Sequence, residues 1–391
     1  MNRKFMAVIA LLLTAVLMLT ACGAGSGTAT QTTTDTQTAS GLDKDTLLKT
    51  VPNYDNEQGT FAKGPNGETA VSADDIKLTD EQYAAIKAMN LKAALLWAGA
   101  GEWYNAMTDG ANSEFEKMGV QVVATSDAQF DPATQATQIE TAMALKPDII
   151  FSLPVDPESG TAAYQPAVDA GTTIVFADNC VNNYKPGEQY VSIVTGDQYG
   201  MGRGCAKLMS DAIGGTGKIG VIYYDADYTV TNNRDNEFIR TILSDYPNIQ
   251  IVDIKGFSQE SATGEAAAAM LTQNPDLDGI YVSWDVAAEP VVAEVRSAGR
   301  TDLKVVTIDL GGNNDLDMAQ KGVVYGKVAD KPYQIGATMA KLAALKLLGQ
   351  ADVPSYVVSG VVTMTRDNMV EAWNESLNRD PDQTVLDALK S

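Results

Sequence analysis

Acidic and amide side chains recur beside aromatic ones at widely spaced points of this chain: Trp103-Tyr104, Asp178-Asn179, Asn232-Asn233-Arg234, Ser283-Trp284-Asp285, Asp309 and Asp330. Carboxylates and amides can take paired hydrogen bonds from neighbouring hydroxyls. An indole or phenol ring can lie flat against an apolar C–H face and exclude water from it. A polyhydroxylated ring offers both surfaces at once. A hydrogen bond with a charged partner is worth about 1.5–3 kcal/mol. Several of these with two aromatic walls reach micromolar affinity, about −8 kcal/mol, after the costs of association. Taken singly, each residue also fits a helix cap or a turn; the joint pattern carries the argument.

Composition closes off other chemistries. The chain has no histidine, which removes every Ser–His–Asp or Cys–His nucleophile pair and every histidine-ligated metal site. No metal, cofactor or catalytic residue is expected. Lys plus Arg number 28 against 50 Asp plus Glu, and the net charge of −22 opposes binding to nucleic acid or to an anionic bilayer. An enzyme reading would use Gly99-Ala100-Gly101 as the phosphate turn of a dinucleotide site, with Asp127 for a ribose. Tyr104 stands at the third-glycine position of that turn, where close helix–strand packing needs a small residue.

Those side chains must be held by something, and the body of the chain supplies a regular alternation. KAALLW (92–97), VQVVAT (120–125), DIIFSL (148–153) and TTIVFA (172–177) read as buried strands, with helical patterns at 103–118, 133–145 and 159–170. The rhythm restarts with KIGVIYY (218–224), IQIVDI (249–254), DGIYVS (278–283) and KVVTID (304–309). Continuous apolar strands alternating with helices predict parallel sheets covered on both faces. Two series predict two similar α/β, Rossmann-like (flavodoxin-like) lobes. Ligands of such sheets sit beyond the carboxyl ends of the strands, where the residues named above fall, together with Asp225-Ala226-Asp227.

Before the body, Asn2-Arg3-Lys4, the apolar run Phe5–Leu19 and Leu19-Thr20-Ala21-Cys22 resemble a bacterial lipoprotein leader, with Cys22 as the lipidated residue. The alternative is an ordinary signal peptide with a chance cysteine. Residues 23–41 are a Thr-rich tether too polar to offset the entropy of ordering it. Residues 42–90 form an extension with one helix, for which Thr79 is the N-cap and Gln82 the capping-box partner. Cys180 and Cys205 either pair with each other or are two buried free thiols.

Six segments together resemble the type I periplasmic binding proteins of the ribose and galactose group, the sugar-binding subunits of ABC importers. They are WYNAMTDGANSEFEKMG (103–119), TIVFADN (173–179), TGDQYGMGRGCAKLM (195–209), LTQNPDLDGIYVSWD (271–285), VVTIDLGG (305–312) and ADKPYQIGATMAKLA (329–343). The resemblance covers 91–365. It implies two lobes joined by a three-strand hinge with crossings near 195, 330 and 357. Lobe one is then 91–195 with 331–357, and lobe two 196–330 with 358–391, including a C-terminal helix pair beyond Arg366.

Position by position, the resemblance makes Trp103 and Tyr104 the aromatics that sandwich the sugar, and Asp178 and Asp309 the retained carboxylates of the two lobes. Gly101 stands where ribose binders have a polar amide, and Asn179 replaces their arginine. The arginine expected near 232–234 is either Arg234 or lost to Asn232 or Asn233. Trp284 replaces an asparagine beside the retained Asp285, and Asp330 replaces a hinge glutamine. Fewer cationic donors and an added tryptophan imply a ligand with a larger apolar face than ribose: a hexose, a disaccharide or a polyol-like compound.

The implied function is a monomeric, extracytoplasmic receptor, anchored by Cys22 to the outer face of the cytoplasmic membrane or held in the periplasm. It captures a small carbohydrate and delivers it to the permease. The alternative output is a sensor that presents a sugar-like signal to a chemoreceptor or histidine kinase. Asp178→Ala and Trp103→Ala are expected to abolish binding and leave ligand-free stability nearly unchanged.

Overall fold

The computed structural model describes residues 61–226 and 228–391. The leader with Cys22, the tether, the first part of the extension and Asp227 lie outside the described residues.

Among the described residues the strands form two sheets. The first contains β1 (Val71–Ser72), β2 (Lys92–Trp97), β3 (Gln121–Asp127), β4 (Ile149–Ser152), β5 (Thr173–Ala177), β6 (Ile193–Gly196) and β12 (Tyr356–Ser359), in the order β1-β12-β6-β5-β4-β2-β3. The second contains β7 (Gly217–Tyr224), β8 (Ile249–Phe257), β9 (Gly279–Val282), β10 (Lys304–Ile308), β11 (Val324–Ala329) and β13 (Val362–Thr365), in the order β13-β11-β10-β9-β7-β8. Every pairing is parallel except β11 with β13. The α/β parallel-sheet architecture predicted from the alternation is the one observed.

The strands read as unbroken apolar runs because both faces are covered. Along β2, Ala93, Leu95 and Trp97 join one core cluster, while Ala94 and Leu96 join the cluster on the opposite face. In β9, Ile280 and Val282 enter one core and Tyr281 the other. Trp97 is core: it is 3% exposed, and its Nε1 donates to Thr108 Oγ1 at 2.9 Å.

Local chemistry sets where the helices begin. In α1 (Asp80–Lys87) the predicted capping box between Thr79 and Gln82 is formed. In α3 (Pro132–Ala144) and α4 (Pro157–Asp169), Asp131 and Asp156 accept the orphan amides of Thr134 and Ser159, and a proline fills the first turn. The helix after β2, α2 (Glu102–Met118), begins instead at Gly101, which has no capping side chain.

The extension does more than lead into the body. β1 adds an edge strand beside β12, and Ile76 and Ile86 are buried in the first sheet's core. The sequence signal there was a helix alone, because two extended residues carry no periodicity.

The chain leaves the first sheet after β6 and enters α5 (Gln198–Ile213), which packs on the second. It returns after β11 into α10 (Pro332–Leu347), packed on the first, and changes sheet again between β12 and β13. Helices α2 and α10 cross very closely: a Cβ on Gly336 would collide with the carbonyl of Met107, and one on Gly110 with that of Tyr333. That approach brings the first turn of α2 up to the end of β11. The C-terminal helices α11 (Met369–Leu377) and α12 (Gln383–Leu389) cover the second sheet through Trp373, Leu377 and Val385. Cys180 and Cys205 are both free thiols. No helix among the described residues is long and apolar enough to cross a membrane.

Candidate functional site

In the first sheet the strand order changes direction at β2, which lies between β3 and β4; in the second it does so at β7, between β8 and β9. Loops leaving such switch points flank a crevice at the carboxyl edge. Here the two crevices face each other around a cavity of about 120 Å³, many times the roughly 10–15 Å³ that one water needs.

The first lobe supplies Gly101, Glu102, Trp103, Tyr104, Phe130, Leu153 and Asp178. Gly101 has φ 128°, a conformation that favours glycine, so a β-carbon-bearing residue there would strain the turn. The helix starting at Glu102 then projects Trp103 and Tyr104 together, with their rings edge-to-face at 5.0 Å. Trp103 Nε1 donates to Asp330 Oδ1 at 2.9 Å. Phe130 stands at the mouth, 47% exposed, in a loop where Gln129 and Phe130 have consecutive positive φ values of 52° and 55°. Two bulky residues in that region are uncommon and mark a conformation imposed by the surroundings.

The second lobe supplies Tyr224, Tyr228, Val230, Thr231, Arg234, Glu260, Trp284, Asp285, Val286 and Asp309, and Asp330 closes the floor where the chain leaves β11. Arg234 lies on α6 (Thr229–Asp245), 6% exposed, with Nη1 at 3.6 Å from Asp309 Oδ2. Trp284 directly precedes α8 (Asp285–Ser297) and donates from Nε1 to Glu260 Oε1 at 2.5 Å. Its ring meets Tyr224 at 5.0 Å and Phe257 at 4.9 Å. Tyr228 reaches the first lobe, where its hydroxyl donates to the Pro154 carbonyl at 3.1 Å.

Asp178 and Asp309 are structural counterparts. Each follows an inner strand, with φ of 57° and 66°. Each amide donates at 3.0 Å to the neighbouring strand, that of Asp178 to Val194 and that of Asp309 to Val328. The left-handed turn aims both carboxylates off the sheet edge into the cavity. Asp178 accepts the Thr195 hydroxyl at 2.8 Å, while Oδ1 of Asp309 has no hydrogen-bond partner among the described residues.

Burial governs the electrostatics. It raises Asp178 to about 6, against the opposing pull of Thr195 and Arg234. It raises Asp285 to about 7, only partly offset by Lys327. Asp309 is raised by burial despite Arg234, and Asp330 well above the carboxylate range by burial and then by Asp309 and Asp178. Behind the wall, Lys327 and Asp315 form a fully buried ion pair at 2.6 Å, and Asp315 also accepts Trp373 Nε1 at 2.9 Å.

Of the residues singled out from sequence, Trp103, Tyr104, Asp178, Arg234, Trp284, Asp285, Asp309 and Asp330 line the cavity. Asn179 and Asn232 do not. Asn179 is 5% exposed and outside the lining, and its Nδ2 is buried without a hydrogen-bond partner among the described residues. Asn232 and Asn233 lie on α6 away from the lining, and Asn233 instead donates to Gln198 Oε1 at 2.6 Å. Sequence reasoning missed Tyr224, Tyr228, Glu260 and Phe130, while Glu102 falls among the residues that follow the first predicted strand. Tyr224 and Tyr228 could have been found from topology, since they flank the first strand of the second series as Trp103 and Tyr104 follow that of the first. Glu260 carried no signal, because a short 3₁₀ turn, Glu260–Ala262, delivers it to Trp284. Among the described residues no group of three His, Cys, Asp or Glu is arranged to hold a metal ion.

Residues 93–351 match the family described as periplasmic binding protein domain. The chain is 24% identical over 247 residues to a xylitol-binding protein of Mycolicibacterium smegmatis, covering 62% of this chain and 68% of that one. It is 23% identical over 257 residues to the ribose import binding protein of Escherichia coli, covering 66% and 84%. The fold superimposes with a TM-score of 0.65 on an ABC transporter solute-binding protein from Agrobacterium vitis bound with α-D-tagatopyranose, at 23% identity, covering 72% of this chain and 96% of that one.

Proposed function

The chain belongs to the periplasmic binding protein family, a family of binding proteins and not of enzymes, and from that premise we propose that it captures a small carbohydrate between two closing lobes. It works outside the cytoplasm as the receptor of an ABC importer and hands the ligand to the membrane permease. Lobe one is 91–195 with 331–357, lobe two is 196–330 with 358–391, and the crossings near 195, 330 and 357 are the hinge. The protein acts as a monomer, held at the membrane by a lipid on Cys22.

The observation that carries this reading is the cavity itself. Carboxylates and aromatic rings from both lobes converge on a space of about 120 Å³, which suits one sugar ring. Trp103, Tyr104, Asp178, Arg234, Trp284, Asp285, Asp309 and Asp330 are the contacts. Ligand in the cleft favours the closed arrangement by its difference in affinity for the two states. The names of the relatives, which bind xylitol and ribose, agree in ligand class.

A thermal-shift screen of the purified protein across a broad carbohydrate panel tests the proposal. Stabilisation by one or a few sugars, saturating at one site per chain, is the expected result. Stabilisation by amino acids or nucleosides and by no sugar would overturn it.

A further inference from the structure

Acceptors outnumber free donors in the cavity. Six carboxylates line it: Glu102, Asp178, Glu260, Asp285, Asp309 and Asp330. Arg379 pairs with Glu102, and Arg234, the one basic side chain in the lining, faces Asp309. Among the described residues, Asp178, Glu260, Asp285 and Asp330 have no cation within ion-pair distance.

Several of the donors that reach the wall are engaged within it, while Arg234 Nε and the Tyr104 and Tyr224 hydroxyls have no hydrogen-bond partner among the described residues. Trp103 donates to Asp330, Trp284 to Glu260, Tyr228 to the Pro154 carbonyl and Thr231 to the Tyr228 carbonyl. Asp330, 3% exposed, takes one hydrogen bond on Oδ1 and none on Oδ2 among the described residues. Oδ1 of buried Asp309 has no partner either.

A neutral sugar matches such a wall only in part. Its hydroxyls accept as well as donate and its ring oxygen only accepts, so six carboxylates would face it with fewer donors to match. An ammonium group is the complement: three donors, no acceptor and a positive charge. The aromatic faces beside these carboxylates attract the same group, since a cation over the face of Trp or Tyr is stabilised by the ring quadrupole. Tyr104, Tyr224, Tyr228 and Trp284 supply those faces. Resting on the carbohydrate reading above, we infer that the ligand is an amino sugar or amino polyol whose cationic amine sits among Asp285, Asp309, Asp330 and the aromatic wall.

Matched series test this on the purified full-length protein by calorimetry. 2-Amino-2-deoxyhexoses and an aminocyclitol are compared with the corresponding hydroxyl and N-acetyl compounds. At least one amine should bind tenfold or more tightly than its hydroxyl counterpart, about 1.4 kcal/mol, and its N-acetyl form should lose that gain. Hydroxyl members binding as tightly as their amines throughout would overturn the inference and leave the carbohydrate reading standing. Binding by no member of any series would overturn both. Asp285→Asn, which removes a charge and keeps the shape, should cut amine affinity about tenfold more than it cuts that of the hydroxyl counterpart. An equal loss for both would overturn the role given to charge.

Discussion

The indole Nε1 of Trp103 donates to the Asp330 carboxylate at 2.9 Å, tying the first turn after β2 to the point where the chain leaves β11. One partner is the aromatic wall of the cavity and the other its floor, so the wall is fixed before any ligand arrives. Asp330 is buried, which raises its carboxyl well above the ordinary carboxylate range, and that N–H, with Arg234, opposes the rise. A preorganised contact of this kind lowers the ordering cost of binding.

Trp103→Phe keeps a ring and deletes the donor. It should destabilise the ligand-free protein by about 1–3 kcal/mol, the cost of leaving a buried acceptor unsatisfied, read from urea unfolding. This revises the sequence-based expectation that replacing Trp103 leaves ligand-free stability untouched. An unchanged midpoint and slope would show that the pair contributes nothing.

The acidic cavity sets an unusual pH response. Asp178 moves from 3.8 to about 6 and Asp285 from 3.8 to about 7, so the folded protein holds these protons more tightly than the unfolded chain. Stability contributed by a raised carboxyl is present at low pH and is lost as pH rises through the folded value. The ligand-free melting temperature should therefore be higher at pH 5 than at pH 8, and Asp285→Asn should reduce the difference. A melting temperature that climbs steadily across that window would contradict the shifts.

Tyr228 spans the two lobes through its bond to the Pro154 carbonyl and packs on the core of the first. Tyr228→Phe removes a bond that exists only while the lobes meet. Ligand affinity should fall roughly twofold to tenfold, following about 0.5–1.5 kcal/mol for one hydrogen bond, with the unfolding midpoint of the ligand-free form nearly unchanged. Titration calorimetry and denaturation on the same preparation separate the two effects.

Lys327 and Asp315 are fully buried and paired at 2.6 Å. Lys327→Met strands the carboxylate and should cost about 3–5 kcal/mol. Adding Asp315→Leu should restore much of the loss, because the uncompensated charge and not the missing attraction carries the penalty. A double variant as weak as the single one would place the defect in packing instead.

Gly336→Ala drives a Cβ into the Met107 carbonyl at the crossing of α2 and α10. Overpacking there should cost about 1–3 kcal/mol. It should also weaken ligand binding, since α2 carries Trp103 and Tyr104 in its first turn. Loss of stability with full retention of affinity would uncouple the crossing from the site.

Much of this was legible in the chain. Buried strands announced themselves because a sheet covered on both faces demands apolar side chains on both. The Thr79–Gln82 capping box was readable because its partners are three residues apart. β1 and β12 were not, since two to four extended residues carry no period and form strands only through pairing with each other and β6. In the site, residues directly after a predicted strand could be named from sequence. Asn179 and Asn232 could be named but not oriented, because whether an adjacent side chain faces the cavity or the protein depends on backbone rotation. The φ of 57° at Asp178 is such a case.

By itself the sequence determined the alternation of strands and helices, the absence of histidine chemistry and the side-chain types gathered at strand ends, since these depend on composition and local spacing. Only the tertiary structure decided which of those side chains converge and which satisfy one another. Trp103 with Asp330 and Trp284 with Glu260 are 227 and 24 residues apart. Whether a donor faces a ligand or a neighbouring carboxylate is settled by packing that brings distant segments within 3 Å.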